Sequence, residues 1–125
     1  MRVSLALLAL LLLIACNGTP SASMKRQGAA LAGGDPDRGA ADIAHYGCGA
    51  CHTIPGIVGA RGVVGPTLAS LRSRMYIAVK LRNEPASLEH WIANPHAVDP
   101  QSAMPVLGVS QADAVDIAAY LYSLK

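Results

Sequence analysis

The sequence predicts an all-α fold of about three to five helices, and three observations lead to this class. Two segments, one near residue 36 and one near residue 111, combine a helix-start signal with apolar residues at helical spacing. Turn signals of the kind that join β-strands are few. The chain of 125 residues is also short enough to form one domain.

The first predicted helix begins at Asp35 and Pro36. Aspartate is a favoured N-cap residue, and proline suits the first helical turn because an N–H there would have no intrahelical partner. Ala40 and Ile43 follow at helical spacing, and the pattern predicts an end near Gly47.

The last predicted helix carries a strong helical pattern. Ser110 and Asp113 resemble a capping box, with aspartate in place of the usual glutamate. The apolar residues that follow repeat at i, i+3, i+4 and i+7, at Ala114, Ile117, Ala118 and Leu121. We therefore expect a C-terminal helix with one apolar face.

Shorter elements are predicted between these two helices. Leu88, Trp91 and Ile92 form a short helical stripe that ends at residues 94–95, an Asn-Pro pair. Residues 67–72 are expected to add another helical turn. Residues 76–81 alternate only in part, and no strand is expected there.

The N-terminus has the features of an export signal. Arg2 precedes an uninterrupted apolar stretch of ten residues over 5–14, which is too short to span a bilayer. The stretch ends in Leu-Ile-Ala-Cys at 13–16, which resembles the lipobox of bacterial lipoproteins, where the cysteine becomes the acylated first residue.

That resemblance implies a lipoprotein signal peptide over 1–15 and a lipid anchor on Cys16. The protein would then lie on the periplasmic side of a bacterial membrane, with the choice of membrane left open. The alternative is an ordinary secretory signal that is cut near Ala15, with an incidental cysteine after it.

The stretch after the leader is predicted to be a lipidated N-terminus and flexible linker over 16–34. It is rich in Gly, Ser, Ala and Pro and has no apolar periodicity. The folded domain is then 35–125. A domain of this size buries little surface and often needs a staple or a prosthetic group, and few large aromatic residues are available to fill its core.

The charge balance excludes one class of partner. Ten Lys and Arg against eight Asp and Glu give a net charge of +2, spread along the chain without a run of like charge. Nucleic-acid binding is therefore not expected, because it depends on clustered cations.

The chemistry of the chain is predicted to centre on Cys48-Gly49-Ala50-Cys51-His52. Two cysteines at this spacing followed directly by histidine are typical of c-type haem attachment. Each thiol would form a thioether bond, and the histidine would be an axial iron ligand. A disulfide oxidoreductase would need a βαβ context and a zinc site would need further ligands, and the sequence lacks both.

Met104 is the predicted second axial ligand. It precedes Pro105 in a loop between two predicted helices, whereas Met24 lies in the predicted linker and Met75 is expected to pack or to lie near the surface. A thioether ligand favours electron transfer over the binding of small ligands. The remaining histidines are expected to be solvated or locally hydrogen-bonded, namely His45, His90 and His96.

These motifs together resemble class I c-type cytochromes. The residues that carry the resemblance are Cys48-Gly49-Ala50-Cys51-His52, Gly65-Pro66-Thr67-Leu68, residues 88–95, Met104-Pro105 and Ala118-Ala119-Tyr120-Leu121. The likeness covers 35–125 and is strongest to the domains associated with subunit two of bacterial haem-copper oxidases. It implies a small cytochrome c fold wrapped around one covalently bound haem c.

The resemblance also implies roles for single residues. The carbonyl of Pro66 would accept a hydrogen bond from His52 Nδ1, which fixes the ring. Trp91, with Arg74 or Tyr76, would lie near the haem propionates.

The resemblance also implies one contact between helices, and the sequence departs from the family pattern at one residue. Gly39 and Ile43 would cross the last helix at Tyr120 or Leu121. Val79 departs from the oxidase-linked relatives, in which glycine is expected.

The implied function is electron transfer and not catalysis, with no catalytic residue. A membrane-anchored monohaem carrier would pass single electrons in a periplasmic respiratory chain, with a terminal oxidase, a quinol-cytochrome c reductase or a dehydrogenase as partner. Residues 54–60, with Arg61 at the rim, would form an apolar docking patch or a loop that covers the haem.

Two alternatives stay open. One is an electron-accepting subunit of a periplasmic dehydrogenase or sulfur-oxidising complex. The other is a sensor or ligand-binding haem protein with an open iron site.

Overall fold

The computed structural model describes residues 18–125, so the predicted signal peptide over 1–15 and the predicted lipid on Cys16 lie outside the described residues. The described part is mostly helical, with one small hairpin, which is compatible with the predicted all-α class. Its elements in chain order are α1 Ala22–Ala32, α2 Pro36–His45, β1 Tyr76–Ile77, β2 Leu81–Arg82, α3 Pro85–Ala93, α4 Pro95–Val98 and α5 Gln111–Tyr122. Two short 3-10 turns occur at Cys48–Ala50 and Leu71–Ser73.

The two long predicted helices start at the predicted caps. The side chain of Asp35 accepts hydrogen bonds from the backbone N–H groups of Asp37, at 2.8 Å, and Arg38, at 3.3 Å. Ser110 Oγ accepts from the N–H of Asp113 at 3.1 Å. Both caps satisfy N–H groups that the first helical turn leaves unpaired.

Helix α1 corrects the prediction of a flexible linker over 16–34. It begins at the N-cap Ser21 and ends at Gly33, whose φ of 79° is left-handed. Its buried Gly28 lies directly against the carbonyl oxygen of Ala119 on α5. The sequence pattern concealed this helix because it packs through small residues, which leave no periodic stripe of large apolar side chains.

The hairpin is the second difference from prediction. Tyr76 pairs with Arg82 and Ile77 with Leu81, so residues 78–80 form the turn. Ala78 and Val79 adopt φ values of 48° and 65°. This turn was missed because glycine or asparagine normally marks such a conformation, and neither is present here. The left-handed backbone at residue 79 explains why glycine is expected there, since glycine adopts this conformation without a steric cost.

Helix α5 is the centre of the fold and packs against α1, α2 and α3. Gly39 allows α2 to approach α5, as predicted, but the contact lies at the backbone of Asp116 and Ile117 and not at Tyr120 or Leu121. The Gly39 contact is therefore about one turn earlier on α5 than predicted.

A buried carboxylate reinforces that crossing. Asp116 is only 3% exposed, and its Oδ1 accepts from the Asp35 N–H at 2.7 Å, while Oδ2 accepts from Arg38 Nε at 2.8 Å. The start of α2 is thereby tied to the middle of α5. Within residues 18–125, none of the helices has both the length and the apolar character needed to cross a membrane.

Candidate functional site

A cavity of about 740 Å³ lies between α2, α3, α5, the hairpin and the loop that follows α4. All six predicted cofactor-binding residues line it, namely Cys48, Cys51, His52, Pro66, Trp91 and Met104. Aliphatic side chains form much of the remaining wall, namely Ile43, Leu68, Leu71, Ile77, Leu88, Ile92, Ile117 and Leu121. Its volume is within the range of cavities that hold small organic molecules.

The two cysteines lie on one short turn at the cavity wall. After α2 the backbone changes direction at Gly47, whose φ of 72° is left-handed, and the 3-10 turn Cys48–Ala50 follows. The N–H groups of Cys51 and His52 both donate to the carbonyl of Cys48, at 3.2 and 3.0 Å. This turn brings all three side chains to the same cavity.

Both thiols are free and half-buried. Burial raises the pKa of the Cys48 thiol, because the low-dielectric surroundings disfavour the thiolate. Among residues 18–125, no three His, Cys, Asp or Glu side chains are grouped so that they could hold a metal ion by themselves.

The imidazole of His52 is held on two sides. Nδ1 lies 2.7 Å from the carbonyl oxygen of Pro66, which confirms the predicted contact between these two residues. Gly65 packs directly on the ring, and a side chain at that position would displace it. When Nδ1 donates to Pro66, Nε2 carries the lone pair and is the nitrogen available to a metal.

The loop that supplies Gly65 is bonded closely to the cysteine turn. The N–H of Gly62 donates to the carbonyl of Gly49 at 3.1 Å, and the N–H of Gly65 donates to the carbonyl of Cys51 at 2.8 Å. Gly62 also lies against the backbone of Ala50 and Cys51, where a Cβ would collide with main-chain atoms. The His52 side of the cavity is therefore rigid.

Met104 lies on a wall formed by the loop between α4 and α5. Its N–H donates to Ser102 Oγ at 3.1 Å, and the side chain is half-buried. Met104 is the only one of the three methionines in residues 18–125 that lines the cavity, and Met75 is 78% exposed.

The other histidines lie away from the cavity. Within the described residues, His45, His90 and His96 are exposed and none of them lines the cavity. His96 Nε2 lies 3.2 Å from the carbonyl oxygen of Ser102 and so contacts the Met104 loop instead.

Trp91, Arg74 and Tyr76, which the resemblance places near haem propionates, also line the cavity. Arg74 is held by the carbonyl oxygens of Thr67 and Ala69, to which its guanidinium donates. These two bonds hold the guanidinium at the cavity wall.

Two supporting residues have no counterpart in the sequence prediction. Asn83 Nδ2 donates to the carbonyls of Leu71, at 2.7 Å, and Arg74, at 2.9 Å, and Tyr122 OH donates to Asn83 Oδ1 at 2.9 Å. This network joins the loop that carries Arg74 to the end of α5. Asn83 is remote from its three partners in sequence, so no local pattern identifies it.

The predicted docking patch over 54–60 is only partly exposed. Ile54 and Ala60 are buried in the core and correct that part of the prediction, while Val58 is fully exposed. Tyr120 OH donates to the carbonyl of Pro55 at 2.8 Å, which ties the loop to α5.

Comparison of the chain with protein-family models, with curated proteins and with solved structures finds no match.

Proposed function

We propose that this protein is a membrane-anchored monohaem c-type cytochrome that transfers single electrons in a periplasmic respiratory chain, with a terminal oxidase as the acceptor. The observation that carries the proposal is one largely aliphatic cavity lined by Cys48, Cys51, His52 and Met104. Attachment of haem c uses two cysteine thiols and a histidine, and an electron carrier also needs a stable second iron ligand such as a methionine thioether.

The residues present fit this group. Cys48 and Cys51 would hold it through thioether bonds, and His52 and Met104 would be the axial ligands. When bound, haem c supplies a one-electron couple between ferric and ferrous iron. The volume and the aliphatic walls of the cavity suit a large, planar, mainly apolar molecule.

In electron transfer, the protein would orient the His52 ring and shield the bound haem from water. The Pro66 carbonyl fixes the tautomer and the angle of the His52 ring, and the hydrogen bond raises the basicity of Nε2. The buried side chains of Ile43, Leu88 and Ile117 would shield a bound haem from water. A ligand that is held in place and shielded in this way would move little on oxidation, which favours fast electron transfer.

The optical spectrum of the Met104→Ala variant tests the proposal. The full chain is produced with its leader in a bacterium that matures c-type cytochromes, and ferric protein is examined for the weak long-wavelength band of thioether-bound iron. We expect this band in the unchanged protein and its loss in Met104→Ala, because no other methionine in the described residues lines the cavity.

Met75→Ala is the matched control, since Met75 is 78% exposed and should leave the band intact. A protein without covalent haem would overturn the proposal as a whole. Immediate carbon monoxide binding by reduced, unchanged protein would overturn electron carriage and favour a ligand-binding haem protein.

A further inference from the structure

The first described residues of the chain lie on the loop 53–61, which we call the entry loop. A Cβ at Gly18 would be 3.2 Å from Pro55 Cβ, and one at Gly56 would be 3.1 Å from the Cα of Thr19. Pro20 is buried. The chain therefore enters the domain in contact with this loop.

Helix α1 holds that entry point in place. Gly28 on α1 packs against Ala119 on α5 and against Ser123, the residue that caps the end of α5. Arg72 Nη1 donates to Gln27 Oε1 at 2.6 Å. A flexible tether would let the domain rotate relative to its N-terminus. Because α1 begins at Ala22 and packs on α5, the chain at residues 18–20 is held in place.

Covalent geometry then limits the reach of Cys16. Only Asn17 separates it from Gly18, so the Cα atoms of Cys16 and Gly18 are at most about 7 Å apart. If Cys16 carries a lipid, as the proposed function requires, the membrane surface must lie next to the entry loop.

The exposed side chains of the entry loop suit that position. An antiparallel bridge between Thr53 and Arg61 closes the loop, and its tip carries the fully exposed Val58. Arg61 is exposed at its base. No aspartate or glutamate occurs between Asp42 and Glu84, so the sequence around the loop carries no anionic side chain to repel anionic headgroups.

We propose that the entry loop contacts the surface of a phospholipid bilayer, with Val58 directed at the lipid and Arg61 near the headgroups. This inference rests on the proposed lipid anchor and deepens it. Ala60 of the loop packs directly on Gly49 of the cysteine turn, so the haem-attachment side of the domain lies close to the membrane.

Hydrogen exchange of the anchored protein tests the contact. The N–H groups of Val58 and Gly59 have no hydrogen-bond acceptor among the described residues, so their exchange is fast unless the bilayer covers them. The haem-loaded, acylated chain is placed in vesicles of phosphatidylethanolamine and phosphatidylglycerol. We expect exchange at 56–59 to slow several-fold relative to the unanchored Cys16→Ser protein.

The matched control keeps the lipid and lengthens the connection. A flexible insert of roughly ten glycine and serine residues between Asn17 and Gly18 retains the anchor but removes the short reach. We expect exchange at 56–59 to return to the Cys16→Ser value. No protection in the unmodified chain overturns the inference. Protection that survives the insert supports the contact and shows that the loop binds the bilayer without the short connection to Cys16.

Two further readouts separate this failure from failure of the proposed function. The mass of the N-terminal peptide reports acylation of Cys16, and the haem spectrum reports cofactor and ligation. An acylated, haem-loaded protein with an unprotected loop overturns only the bilayer contact. A chain without the lipid overturns the anchor and the contact together, while its spectrum still decides the haem assignment.

Discussion

The two walls of the cavity differ in how they are held. On the His52 side, backbone hydrogen bonds join Gly62 and Gly65 to the cysteine turn. On the Met104 side, the hydrogen bonds of the loop lie near Ser102, whose N–H donates to the Asp99 carbonyl at 3.0 Å and whose Oγ accepts from Met104 N–H. Val106 and Leu107 further along the loop are 50% and 41% exposed. One proposed axial ligand is therefore fixed by main-chain packing, and the other lies on a looser loop.

This difference indicates which wall of the cavity a bound prosthetic group would stabilise most. The His52 wall can form from local contacts within about 20 residues of sequence. Among the described residues, 105–108 make no hydrogen bond in the Met104 wall, so ligation of a bound haem by Met104 would help to order this part. We therefore expect the Met104 loop to be the first part of the cavity to loosen.

The largest expected effect is that of Gly62→Ala on the rigid wall. A Cβ at Gly62 would collide with backbone atoms of Ala50 and Cys51, which cannot move without opening the cysteine turn. We expect a loss of about 3 kcal/mol in the free energy of unfolding of the mature protein, measured by urea titration.

Gly108→Ala is the comparison on the Met104 wall. Gly108 has a left-handed φ of 74° but no atom within 4 Å of a Cβ, so only the backbone conformation opposes the change. We expect a loss of about 1 kcal/mol. Equal losses at the two glycines would show that the walls do not differ in rigidity.

A second prediction concerns high pH and the Tyr122–Asn83 network behind the cavity. Burial raises the pKa of Tyr122 to about 12. Unfolding restores a pKa near 10, so the contribution of this phenol to stability is complete below pH 10 and is lost as the pH rises through 12. We expect the free energy of unfolding to fall by about 2 kcal/mol across this interval.

Tyr122→Phe provides the control for that titration. The variant loses the hydrogen bond to Asn83, at a cost of about 1 kcal/mol at neutral pH, but has no phenol to ionise. Its stability should fall less between pH 10 and 12. An unchanged slope would assign the transition to another group.

The smallest expected effect is a gain in stability from Val79→Gly at the hairpin turn. Val79 has a φ of 65°, which is unfavourable for a β-branched residue. Glycine removes this strain but adds chain entropy to the unfolded state, so we expect a net gain of about 0.5 kcal/mol by urea titration. A loss of stability would mean that the valine side chain has a packing role that outweighs its backbone strain.

Prediction from the sequence succeeded where the signal was local. The caps at Asp35 and Ser110 involve residues two or three apart, and both were found at the predicted positions. The Pro66 contact to His52 was implied by the family resemblance and is present. Prediction from the sequence failed for helix α1, for the hairpin and for the place where Gly39 contacts α5. Packing through small residues and unusual turn residues leave no periodic pattern in the sequence.

By itself, the sequence determined the chemistry that this chain can offer: two thiols and an imidazole within five residues, and a thioether more than fifty residues later. Only the tertiary structure decided that these groups share one cavity, that Asn83 and Tyr122 support it, and that the N-terminal segment lies on the entry loop. The physical reason is range: caps and attachment motifs depend on neighbouring residues, whereas cavity walls depend on side chains that only the packing of distant helices brings together.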